Sequence, residues 1–200
     1  MRCGALFRWL GLLLVASNLR PATAAGQGAE VLLRLCRSSS PIPGAVSRLC
    51  AELEAAAAPP RFPQLWPELV GDWRLLYSNN ALRASLRGVE VVQRIELVDP
   101  ADLSFGQVQH ILRGKLLPLE VRLIHSARVT SESSPAQLSI DLDQLRLGAL
   151  PPAASLLPGG LLRRGFFDTT YIDEEVRVSR GLLGELRVFQ RLADGARSDR

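Results

Sequence analysis

From Gly71 onward the apolar residues of this chain recur at every second position, the spacing of strands with one face turned inward. Seven runs carry the alternation: GDWRLLYS, VEVVQRIEL, LSFGQVQHIL, LEVRLIHSARV, QLSIDLDQLRL, EEVRVS and ELRVFQR. Between them stand Asp99-Pro100, Gly114, residues 131–135 and residues 181–184, all turn chemistry. No helix-length pattern interrupts the series, apart from the Leu/Pro/Gly stretch 148–164. Many short antiparallel strands at this spacing predict a sandwich or a closed barrel.

The preceding region has a different period. Val31, Leu32 and Leu35 lie at helical spacing, as do Val46, Leu49, Cys50 and Leu53 in the segment that Pro59 and Pro60 end. Pro and Ser separate the two segments. An amphipathic helical pair is expected to pack on the flank of the β domain. Residues 1–25 read as a targeting presequence: Arg2 and Arg8 precede a short apolar run, and Ala22-Thr23-Ala24 has the small-x-small pattern of a cleavage site. That run is too short for the ~20 residues of a membrane span. The layout expected is therefore a presequence (1–25), a helical flank (26–66), a barrel (67–192) and a tail (193–200).

Composition narrows the chemistry. Three of the 24 basic residues fall in the presequence, which holds no acid, leaving 21 basic against 20 acidic. The formal net charge of +4 is therefore no sign of a nucleic-acid surface. Aromatic residues, 6% of the chain, do not interleave with arginines as single-strand binding would need. Cys36 and Cys50 are expected as buried free thiols. With two histidines, His110 and His125, and no CxxC, no zinc cluster or other metal site is expected. No GxSxG, HExxH, Walker or GxGxxG motif occurs. Neither a cofactor nor a catalytic constellation is expected.

Strand phase assigns faces. Val121, Leu123, His125, Ala127 and Val129 share one face, and Leu138, Ile140, Leu142, Leu145 and Leu147 line another after a phase slip near Asp143 that suggests a bulge. The inner face is expected to be aliphatic, with Val121, Leu123, His125, Leu138 and Ile140 as core or as the wall of a lipid cavity. At the barrel end, Gly71-Asp72-Trp73 opens the first strand, and Arg177, Arg180 and Arg187 lie in the last hairpin. A guanidinium over the indole would close that end; the sequence does not rank the three arginines, and phase puts Arg177 and Ser179 on the face away from Val176 and Val178. Asp168-Thr169-Thr170-Tyr171 is expected as a turn whose side chains satisfy backbone groups there.

At these residues the sequence resembles the plastid lipid-associated protein family, the fibrillins or plastoglobulins. FDTTYIDEEVRVSRGLLGELRVF is similar to the family's C-terminal signature, LVGDWRLLYSN to its first strand, and GVEVVQRIEL to the next. Gly71, Trp73, Tyr77, Asp168, Thr169, Thr170, Tyr171, Arg177, Ser179, Arg180 and Gly181 match the motif. The resemblance implies a mainly β, lipocalin-like antiparallel barrel with a short N-terminal helical flank. It also implies plastid localisation at plastoglobules or thylakoids, and non-enzymatic binding or structuring of apolar lipids such as prenylquinones or carotenoids. The rival function is an accessory to an isoprenoid or prenylquinone biosynthetic enzyme. The lipid contact is either the inner face or an outer surface formed by the helical stripe and Leu182-Leu183. The presequence reads as secretory, which a signal-peptide-led bipartite route into a plastid reconciles.

Overall fold

A sheet whose strands are apolar on one face can bury that face by closing on itself. In the computed structural model this chain does so. The structure describes residues 24–80, 88–114, 120–130, 134–148, 164–181 and 184–193. Eight strands form a closed antiparallel barrel in sequence order: β1 (Gly71–Ser78), β2 (Val89–Leu97), β3 (Phe105–Gly114), β4 (Glu120–Thr130), β5 (Gln137–Leu147), β6 (Arg164–Ile172), β7 (Val176–Gly181) and β8 (Leu186–Arg191). β8 returns to pair with β1, so among these strands no sheet edge is left open. Residues 1–23 of the expected presequence, the stretch 149–163, Leu182-Leu183 and the tail beyond residue 193 lie outside the described residues.

Seven of the eight strands coincide with the alternating runs. The eighth, β6, is a correction: RGFFDTTYI is a strand where a turn was expected. Asp168 is a weak strand former and the string is polar in both phases, but Thr169, Thr170 and Tyr171 favour strands, and pairing on both sides holds them there. β6 pairs with β5 through Leu138↔Phe167 and with β7 through Thr169↔Ser179, with a register shift between Thr169 and Tyr171. The FDTTY string is polar because its side chains serve opposite faces. Phe167 and Thr169 point into the barrel, while Tyr171 joins the apolar cluster outside it. Thr170, at the register shift, donates to Glu54 at 2.5 Å. The bulge expected near Asp143 is present, since Ile124 pairs with Gln144 and His125 with Leu142, which leaves Asp143 unopposed.

Helices α1 (Ala24–Arg37) and α2 (Pro43–Ala56) cover the outside of the β6–β7–β8–β1 wall. Leu32, Leu33, Cys36, Val46, Cys50 and Leu53 meet Tyr77, Tyr171, Val176, Val178, Leu186 and Val188 there. The α1 stripe is rotated from the expected one: Leu33 and Cys36 are inside, and Val31 is 50% exposed. Glu54 of α2 also takes Arg180 at 2.8 Å, fixing the helix to β7. The apolar stripe of the flank is thus spent on the barrel wall and is not free to meet a lipid surface. Cys36 and Cys50 are free thiols in this interface, and burial, with Cys36 next, pushes the Cys50 thiol up to about 12.

One barrel end is plugged. Helix α3 (Trp66–Leu69) lies beneath it, with Leu65, Trp66 and Leu69 buried against Trp73, Ile95, Val108, Ala127, Leu138, Phe167 and Phe189. Trp66 reaches so far in that a Cβ on Gly106 would sit 2.5 Å from its indole, so β3 needs glycine there. The Trp66 indole N–H donates to the Leu103 carbonyl at 2.6 Å. Gly71, at φ +132°, takes a backbone conformation open to glycine and leaves room for the Arg191 guanidinium, 3.1 Å from where a Cβ would be.

Trp73 holds this end together. Its indole N–H donates to the Leu69 carbonyl at 2.8 Å, and the ring lies between Arg191 at 4.2 Å and Arg177 at 5.1 Å. Arg191 in turn donates to the carbonyls of Val70, at 3.0 Å, and Glu68. Replacing Trp73 with alanine leaves a cavity, takes the ring from Arg191 and removes one of the three rings around Arg177, so a loss of ~3–5 kcal/mol is expected. Urea unfolding of Trp73→Ala and wild type measures it; equal midpoints would contradict this packing.

Candidate functional site

Paired residues in a ladder share a face, so the register determines which side chains point inward. From the plugged end upward, Trp73, Ile95, Val108, Ala127, Leu138, Phe167 and Phe189 form one closely packed apolar layer. Further up, Val91, Leu112, Val121, Leu123, Leu142 and Leu147 point inward from β2 to β5. None of these six is fully buried, although all face the inside. An inward aliphatic side chain that keeps accessible surface is not packed against a partner across the barrel. Leu145, opposite Leu123 in the same phase, is buried; the lower half is a packed core, and the upper half keeps inward aliphatic surface.

Between the two lies a polar belt. Gln93 of β2, His110 of β3, His125 of β4, Thr169 of β6, Arg177 and Ser179 of β7 and Arg187 of β8 all share the inward phase. The inner face is therefore not aliphatic throughout, as the strand pattern had suggested. Arg177 is 0% exposed, with its guanidinium over Phe189 at 4.2 Å, Trp73 at 5.1 Å and Phe167 at 5.6 Å. Its Nη2 donates to Gln93 Oε1. That orients the Gln93 amide, whose Nε2 then donates to His110 Nε2 at 2.9 Å. His110 accepts at Nε2 and so carries its proton on Nδ1. The His110 ring meets His125 edge-on at 5.0 Å.

Several belt groups have no partner. Both ring nitrogens of His125, Thr169 Oγ1, and Nε and Nη1 of Arg177 are buried without a hydrogen bond. Such groups cost ~1–3 kcal/mol each, and more when charged. Burial pushes the Arg177 pKa well below its ordinary value, with Arg187 and Arg191 adding to the effect. A guanidinium nonetheless keeps its proton in proteins, so the direction expresses how poorly this charge is compensated. Burial lowers His110 to about 3, helped by His125, Arg187 and Arg177. His110 keeps some accessible surface, but that surface faces the barrel interior rather than bulk water. Burial also lowers His125 to about 4, against Asp143 and Asp141, which raise it.

The residues singled out from the sequence fall into three places. Val121 and Leu123 stand in the upper lumen and His125 in the belt, whereas Leu138 and Ile140 belong to the packed lower cluster. Trp73 and Arg177 meet inside; Tyr77 and Tyr171 lie outside under the helices, and Tyr171 donates to Asp173 at 2.6 Å. Asp168 and Arg180 pair across β6 and β7 on the outer face. Sequence reasoning missed Gln93, His110 and Arg191 as inward groups and left Arg187 unranked among the hairpin arginines. The signal was present for Gln93 and His110, each polar in the apolar phase of its strand (Val91-Gln93-Ile95 and Val108-His110-Leu112). Among the described residues no group of three or more His, Cys, Asp or Glu could hold a metal ion.

Among known proteins, a family model described as PAP_fibrillin matches residues 34–190. Plastid-lipid-associated protein 6, chloroplastic, of Arabidopsis thaliana is 29% identical over 164 residues, covering 69% of this chain and 58% of the relative. The chain thus spans less than two thirds of that relative's length. No solved structure gives a significant match.

Neutral buried histidines make stability depend on pH. Their folded pKa values, about 3 and about 4, lie below the ordinary 6.5. The unfolded chain therefore binds the extra protons as pH falls below 6.5. Their contribution is complete above that value and is lost as pH drops toward 4 and 3, at up to ~1.4 kcal/mol per pH unit for each imidazole. His125→Gln is expected to flatten urea stability between pH 6.5 and 4. A slope identical to wild type would contradict the neutral buried ring.

Proposed function

Because this chain belongs to the PAP_fibrillin family, we propose that it binds lipids with apolar tails in the upper half of its barrel, without catalysing a reaction. Prenylquinones and carotenoids are the lipid classes this reading names, and plastoglobule or thylakoid surfaces in the plastid are the places it assigns. The name of the Arabidopsis relative supports a plastid lipid association. The observation that carries the reading is the row of inward aliphatic side chains, Val91, Leu112, Val121, Leu123, Leu142 and Leu147, none of them fully buried.

Apolar area left accessible inside a barrel is free energy available to a ligand, ~25 cal/mol per Å² taken out of water. A prenyl tail offers a few hundred Å² of such area, enough for about micromolar affinity after the cost of association. The plugged lower end forces entry from the opposite end, where β1 leads to β2, β3 to β4, β5 to β6 and β7 to β8. An outer contact through the helical stripe has less support, because that stripe packs on the barrel.

Titration of the delipidated chain with a short-tailed quinone, followed by quenching of tryptophan fluorescence in detergent-free solution, tests the lumen. Saturation at one ligand per chain is expected, and Leu123→Trp should weaken it about tenfold by filling the wall. Quenching absent at every concentration, or unchanged in Leu123→Trp, would overturn the reading.

A further inference from the structure

A lumen that took only hydrocarbon would have an apolar floor. This one ends on the polar belt, and the belt is electrically unbalanced. Arg177 is fully buried, and no carboxylate is among the groups that act on its charge; the ones that do are Arg187 and Arg191. Arg187, also inward and only part-exposed, has Glu185 at 3.5 Å toward the rim. Three aromatic faces soften the cost of burying the Arg177 cation, but they leave Nε and Nη1 without acceptors. His125, with both nitrogens unpartnered, and Thr169 add donors to the same layer. His110 and Arg187 are the belt members that keep accessible surface, and so form its upper side.

We infer that the occupant of the lumen is a lipid with a carboxylate head, seated head-down on His110 and Arg187 above Arg177. Its tail runs along Leu123, Leu142, Val121 and Leu112, away from the plugged end. This rests on the lumen reading above and narrows it. An anionic head supplies the charge that Arg177 lacks, and the small planar carboxylate matches guanidinium donors. A quinone, with neutral carbonyl acceptors, ranks second. A pure hydrocarbon ranks last, because it would take the accessible polar surface of His110 and Arg187 out of water without offering an acceptor.

The test compares three probes on the delipidated full chain: cis-parinaric acid, its methyl ester and the quinone decylubiquinone. The acid is expected to bind about tenfold tighter than its ester, since charge-assisted hydrogen bonds contribute on that scale. In Arg187→Gln that preference is expected to collapse to within about threefold, through loss of acid affinity. Arg187 lies off the packed floor, so this variant keeps the fold where Arg177→Gln endangers it. Ester or quinone binding as tightly as the acid overturns the carboxylate inference and leaves the lumen reading standing. An acid preference that survives Arg187→Gln overturns the seat assigned to the head. Binding by none of the three overturns the lumen reading itself.

Discussion

A guanidinium carries a full charge that a protein interior tolerates only when something compensates it. Here one such group, Arg177, lies where five strands converge. It touches Trp73 of β1, Phe167 of β6 and Phe189 of β8, and holds Gln93 of β2 from its own place on β7. The closing seam of the barrel is therefore made of cation and ring contacts as much as of backbone ladder. Through Gln93 the same charge sets the His110 proton, and so the character of the belt on which the lumen ends. Closing the barrel and shaping its floor are one constraint.

The barrel is consequently two structures in one wall. Below the belt, side chains from opposite strands interlock, and Trp66 of α3 drives into the gap that Gly106 leaves. Above it, inward leucines and valines keep accessible surface. The helical flank is part of the same design rather than an appendage. α1 and α2 bury the outer apolar face of β6, β7, β8 and β1, and Glu54 ties α2 to Thr170 and Arg180. With the outside of this wall covered by helices and one end plugged, the proposed ligand surface is the inside.

Much of this was legible in the sequence, and the failures have physical reasons. Alternation, broken once in β1 and once in β5, gave β1, β2 and β5 their limits, because one buried face imposes a period of two. The phase slip at Asp143 is a real bulge. β6 was hidden because its outward and inward sides are both partly polar: Thr170 reaches a helix, while Thr169 joins the belt. Alternation cannot reveal a strand whose faces are mixed. The α1 stripe was misphased by about one residue, since consecutive Val31, Leu32, Leu33 and then Leu35 allow two registers, and only packing on Tyr77 and Val188 selects one. The belt escaped because closure, not local pattern, brings Gln93, His110, His125 and Arg177 to one level.

Methyl-resolved NMR of the Leu- and Val-labelled chain, titrated with cis-parinaric acid, measures the division of the wall most directly. Intermolecular contacts from the ligand tail to Leu112, Val121, Leu123 and Leu142, with Val176, Val178 and Leu186 silent, are the result this account predicts. Contacts at the outer methyls, with the inner row unperturbed, would contradict it.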